Sequence, residues 1–148
     1  MTAGPNQRAI GDAMRRAFAK QGFMQTLGAK LTALGPGTCE IQVPFRPGVT
    51  QQHGFFHGGV TATLADNSAA GAAFTLFEEG RQPLTIEFKI SYLAPASGEV
   101  LIARAEVLAP GRSVSHVRSD IFVVNGGEEH LVATALATIK STSSVSEI

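Results

Sequence analysis

The 148-residue sequence has no tryptophan, one tyrosine and one cysteine. A lone Cys39 excludes an intramolecular disulfide framework and any multi-cysteine metal centre. Charge is scarce as well. Asp, Glu, Lys and Arg make up 16% of the chain, and twelve basic residues balance twelve acidic ones for a formal net charge of zero. That balance gives no broad attraction to nucleic acid or to an anionic membrane surface. With 44% hydrophobic residues, the chain is too apolar and too weakly charged for disorder. No Walker loop, GxGxxG, GxSxG, HExxH, CxxC or N-x-Ser/Thr acceptor occurs.

The segment MTAGPNQRAIGDAMRRAFAKQGF places Arg15, Arg16 and Lys20 among scattered apolar residues, which is not the pattern of a signal peptide. Residues 58–77 form the most apolar window and have the length of a membrane span. Thr61, Thr63, Asp66, Asn67, Ser68 and Thr75 make that window poor for lipid, so it reads as a helix wrapped by protein. The expectation is one compact, cytoplasmic domain over residues 1–148, with a helical segment in 1–25 and a flexible polar tail at 141–148.

Apolar residues Ile10, Met14, Ala17 and Phe18 recur at helical spacing within 7–21, and Gly22 is expected to end that helix. Met14, Phe18 and Phe23 read as its packing residues. Residues 38–45 alternate, with Cys39, Ile41, Val43 and Phe45 on one face and Glu40 and Gln42 on the other, the pattern of a half-buried strand. A Pro- and Gly-containing loop over 46–56 leads into a long helix over 58–77. Four strands follow. The first sets Leu84, Ile86, Phe88, Ile90 and Tyr92 against Thr85, Glu87, Lys89 and Ser91; the others cover 100–108, 113–124 and 130–140. Sequential hairpins predict an α+β fold in which a curved antiparallel sheet of five to six strands surrounds the helix. Its small residues, Ala62, Ala65, Ala69, Ala70, Gly71, Ala72 and Ala73, let the sheet approach closely.

Asp66 is the sole Asp, Glu, Lys or Arg between Arg46 and Glu78, in the middle of the most apolar helix. An unpaired carboxylate there is costly, so it needs a partner, an interface or a solvated cleft. Two readings stand: a carboxylate on an exposed stripe or capping a neighbouring loop, and a functional group in a cleft. Gln51-Gln52-His53-Gly54-Phe55-Phe56-His57-Gly58-Gly59 precedes it. Two glycines opening a helix leave N–H groups bare at the positive end of its dipole, suited to a carbonyl oxygen that becomes negative; the plain alternative is a chain turn. Asp66 lies seven residues beyond Gly59, roughly 10 Å along the axis, too far for both to reach one carbon within a protomer. Antiparallel helices across a two-fold interface would bring one subunit's Asp66 to the other's Gly58, which predicts an obligate oligomer.

The run QQHGFFHGGVTATLADNSAAGAA resembles the signature of hotdog-fold acyl-CoA thioesterases of the phenylacetate-degradation (PaaI-like) type. The resemblance extends through LTIEFKISYLAPA and PGRSVSHVRSDI, covering about Leu27 to Lys140. It implies that Asp66 is the general base or nucleophile, that the Gly58 N–H polarises the thioester carbonyl, and that His57 helps position the thioester or leaving group. It also implies that Thr85 orients the attacking water and that Gln51 stands where many members carry Asn. Gly59, Asn67 and Phe56 are the further residues expected around the substrate. Arg112 and Ser113 match a position near the phosphates of coenzyme A, the alternative being an ordinary hairpin arginine. No metal or separate cofactor is expected, and the partners expected are the acyl-CoA substrate and further copies of the chain, as homodimer or dimer-of-dimers tetramer. Two other readings of the fold are a non-catalytic acyl-CoA-binding module and, less favoured by the His57-Gly58-Gly59 helix start, an enoyl-CoA hydratase or dehydratase.

Overall fold

The computed structural model describes residues 5–143. Helices α1 (Pro5–Ala19) and α2 (Gly22–Leu27) precede strands β1 (Lys30–Gly35) and β2 (Thr38–Pro44). A short 3-10 turn (Pro47–Val49) leads to the long helix α3 (Gly58–Phe74) and strands β3 (Gln82–Tyr92), β4 (Val100–Ala109), β5 (Val114–Asn125) and β6 (Glu128–Thr142). The six strands form one antiparallel sheet in the order β1-β2-β4-β5-β6-β3. Helix α3 packs on the sheet mainly through β2 to β6 and touches β1 at its edge, which places the core between helix and sheet. Its centre is Leu64, Ala65, Ile41, Leu101, Ile121 and Ile139, all closed to solvent. Burying each large aliphatic chain contributes about 1.5–3 kcal/mol.

α1 buries Ile10, Met14 and Phe18, one stripe at spacing four. Gly22 does not end it. The chain turns at Lys20 and Gln21, and Gly22 opens α2, because Met24 and Leu27 supply a second apolar pair to bury. α2 stops at Gly28, whose φ of 69° is the left-handed conformation glycine accepts freely, with its N–H on Gln25 O at 3.0 Å. Phe23, expected in the packing, stands 58% exposed on the far side of that short helix.

Strand β1 has no counterpart in the sequence reading. It lies at the sheet edge, a bulge interrupts its pairing between Leu31 and Ala33, and its burial does not alternate, so it left no period of two to read. α3 ends at Phe74 rather than Phe77. Leu76 N–H and Phe77 N–H bond back three residues, to Ala73 and Phe74 carbonyls at 3.0 and 3.1 Å, while the Thr75 hydroxyl accepts from Gly37 N–H at 2.7 Å. Close approach of helix and sheet is concrete at Gly71. A Cβ there would sit 2.8 Å from Cys39 Sγ and 2.9 Å from Met14 Cε. β6 runs to Thr142, two residues into the stretch expected as a tail, and 144–148 of that stretch lie outside the described residues.

The outer face of the sheet carries the charge. Arg104 bonds Glu40 at 2.7 Å and both carboxylate oxygens of Glu129 at 2.5 and 2.7 Å, and lies over the Phe122 ring at 5.2 Å. Burial raises the Glu40 carboxyl, but hydrogen bonds from Thr32, Arg104 and Gln42 outweigh it and hold the group below its ordinary range. The Arg104 hydrogen bond likewise lowers Glu129.

Candidate active site

The loop before α3 is folded tightly enough to aim the first helical residues. His57 N–H donates to Val49 O at 2.9 Å, Phe56 N–H to Ala96 O at 3.0 Å, and Gln51 N–H to Phe55 O at 2.9 Å. Phe56 is buried edge-on against Phe45, with ring centroids 5.5 Å apart. His57 is the N-cap, with φ −63° and ψ 137°, and its Nδ1 accepts from Gly59 N–H at 2.8 Å. That bond assigns the ring proton to Nε2. The His57 carbonyl accepts from Val60 and Thr61 N–H at 2.9 and 3.2 Å. Gly58 N–H has no acceptor among the described residues, the orphan donor that a helix start leaves at its positive end.

A cavity of 490 Å³ opens beside this amide, lined by Gln51, Phe55, Phe56, Gly58, Thr61 and Tyr92, among others. Gln51 is tied to its own loop, its Oε1 accepting from His53 N–H. The Gln51 side-chain NH₂ remains as its polar end.

Asp66 lies eight residues beyond Gly58, about 12 Å along the helix, and does not line that cavity. It is half-buried, and its Oδ1 accepts from Thr85 Oγ1 at 2.7 Å. Strict alternation assigned Thr85 to the face opposite Phe88 and Ile90. The structure corrects this: a bulge between Thr85 and Glu87 leaves Ile86 as the extra residue. Thr85 therefore pairs with buried Ile139 while Phe88 pairs with buried Ala137, so both point inward, and Ile86 stands 54% exposed. Bulges re-aim side chains in this way beside functional sites.

Asn67 donates from Nδ2 to Gln21 Oε1 at 2.7 Å, joining the α1–α2 corner to α3, and its buried Oδ1 has no partner among the described residues. Arg112 and Ser113 sit at the other end of the fold, beside a 620 Å³ cavity with Phe77, Glu78 and Arg81. Arg81 is committed there to Ser141, at 2.9 Å to the hydroxyl and 2.7 Å to the carbonyl.

The chain thus brings Gln51, Phe56, His57, Gly58 and Gly59 together, pairs Asp66 with Thr85 separately, and keeps Arg112 and Ser113 apart from both. Gly59 N–H is occupied by His57, so Gly58 holds the open amide. Two contacts escaped the sequence reading: Gln21 on Asn67, and Tyr92, whose hydroxyl donates to Gly58 O at 2.8 Å. The one tyrosine of the chain, just before Leu93-Ala94-Pro95, was the available signal for the second. Among the described residues no cluster of His, Cys, Asp and Glu could hold a metal, and no helix is long and apolar enough to cross a membrane.

Residues 53–130 match the thioesterase superfamily. The chain is 30% identical over 116 residues to human (Homo sapiens) acyl-coenzyme A thioesterase 13, covering 77% of this chain and 80% of that one. Among solved structures it resembles a thioesterase family protein from Silicibacter pomeroyi, with a TM-score of 0.87 and 41% identity over 89% of this chain and 97% of that one. The E. coli PaaI protein from the phenylacetic acid degradation operon shares the fold alone, at TM-score 0.81 and 19% identity over 93% and 96% of the two chains.

Proposed function

This chain belongs to the thioesterase superfamily and has the hotdog fold, and we propose that it hydrolyses an acyl-CoA to the free carboxylic acid and coenzyme A. The observation that carries the reading is the 2.7 Å bond between Thr85 and Asp66. It is a paired carboxylate inside a helix with no other charged residue.

Thioester hydrolysis adds water to the carbonyl carbon, passes through a tetrahedral oxyanion, and expels a thiolate that leaves readily. Thr85 spends its proton on Asp66 Oδ1, which leaves Oδ2 to take a proton from water, or to attack directly, and leaves the Thr85 oxygen to accept from the same water. A general base of this kind supplies about 10²–10⁴-fold. The open Gly58 N–H receives the developing oxyanion, a donor typically worth roughly 10²–10³-fold. His57, with its proton on Nε2, faces the thioester or the departing sulfur as a donor, and the Gln51 amide orients the acyl end. Phe56 and its neighbours give the acyl group an apolar lining. Arg112 and Ser113 take the phosphates of coenzyme A.

Asp66 and Gly58 of one protomer are about 12 Å apart, so the reading requires two protomers with antiparallel α3 helices, each lending half of every site. β3 is an edge strand with one side unpaired among the described residues, a suitable place for the second copy, and a further pairing of dimers gives a tetramer. Thiol release from phenylacetyl-, benzoyl-, butyryl- and octanoyl-CoA tests the activity and ranks the acyl groups. Turnover of at least one is expected; turnover of none would overturn the reading.

A further inference from the structure

We infer that Tyr92 is a positioning residue for the Gly58 amide: it holds the peptide unit that follows Gly58, and with it the Gly58 Cα on which the unit carrying the open donor ends, so that the donor stays aimed at the reacting carbonyl. The inference rests on the thioesterase reading above.

The Gly58–Gly59 peptide unit is held at both ends. Its N–H donates to His57 Nδ1 at 2.8 Å, and its carbonyl accepts from the Tyr92 hydroxyl at 2.8 Å. The preceding unit has its carbonyl on Val60 and Thr61 N–H and its own N–H, that of Gly58, open. Two consecutive glycines give the backbone its greatest freedom, at the one place where an amide direction matters to the chemistry. Neither glycine has a side chain to supply stiffness. Tyr92 supplies it from another element, the end of β3. Its ring lies against Gly58 closely enough that a Cβ there would meet two ring carbons and the hydroxyl oxygen at 3.4–3.5 Å.

Burial does not account for this ring, which is 54% exposed and lines the 490 Å³ cavity. Its hydroxyl donates to the Gly58 carbonyl and so fixes the plane that follows the Gly58 Cα; the open N–H lies in the plane before it, which ends on that same Cα. A preorganised donor loses its value when it must reorient during the reaction, and a misplacement on the scale of 1 Å can cost about 10²-fold.

The test compares wild type with Tyr92→Phe, which keeps the ring and removes the hydroxyl. Steady-state hydrolysis of the best acyl-CoA is measured beside residue-resolved hydrogen exchange of the Gly59 amide. A fall in kcat of about 10- to 100-fold with KM within about twofold, and faster exchange at Gly59, the hydrogen-bonded amide of the pair, is expected. A kcat within twofold of wild type, a change confined to KM, or unchanged exchange would overturn the clamp. Absence of turnover in the wild type would overturn the thioesterase reading instead, and the exchange rates alone would then decide the role of Tyr92.

Discussion

Thr85 Oγ1 lies 2.7 Å from Asp66 Oδ1 because a single extra residue, Ile86, interrupts the pairing of β3 with β6. Without the bulge, Thr85 and Phe88 would point to opposite faces of the sheet, since side chains alternate with a period of two.

Thr85→Val removes the hydroxyl at nearly constant volume. We expect kcat to fall about 10- to 100-fold with little change in KM, and Thr85→Ser to retain most activity. Steady-state kinetics on the two variants checks this. A Thr85→Val protein as active as wild type, with the loss in Thr85→Ser instead, would mean that methyl packing, not the hydroxyl, is what Asp66 needs.

Gly58→Pro deletes the open N–H while leaving the helix start intact. Proline is favoured at the first helical position, and His57 already has the extended ψ of 137° that a following proline requires. A loss of roughly 10²–10³-fold in kcat/KM is expected. Gly58→Ala, which keeps the N–H, serves as the control.

Shared sites predict complementation. Asp66→Asn and Gly58→Pro proteins, each inactive, are unfolded together and refolded as a mixture. Random pairing makes half the dimers mixed, and each mixed dimer holds one intact site, so roughly a quarter of wild-type activity returns. No recovery would place both groups in one protomer's site.

The fold was legible where burial imposes a period. β2 and β5 alternate, and a helix charged only at Asp66 and rich in small residues announced that a sheet would wrap it. The rest was hidden for local reasons. β1 is a bulged edge strand with no clean alternation. α2 is six residues long, too short for a helical stripe. At the site, Asp66 and Gly58 stood out by their own sequence neighbourhoods. Tyr92 and Gln21 act across 34 and 46 positions of chain, a relationship that only the fold creates. The bulge that turns Thr85 inward is likewise a matter of register, which no residue type at Ile86 announces.

Acid stability provides a test away from the site. The Glu40 and Glu129 carboxyls are both held below their ordinary value of 4.5 in the folded state. Their contribution is therefore complete above that value and lost as pH falls through the lowered folded values. The urea midpoint of wild type should drop between about pH 6 and about pH 3. Arg104→Met should be less stable at the upper end and show a smaller drop. Parallel pH dependence in the two proteins would remove the cluster from the account.

Gly71→Ala should destabilise the fold by about 1–3 kcal/mol, because its Cβ meets Cys39 and Met14 inside 3 Å. A urea denaturation series measures the change; no loss would mean that the neighbours yield freely.

The most direct measurement is thiol release from acyl-CoA by wild type and Asp66→Asn side by side, with size-exclusion elution confirming that the variant still assembles. The account predicts clear wild-type turnover and a fall of at least about 10²-fold in the assembled variant. An Asp66→Asn protein as active as wild type would contradict it.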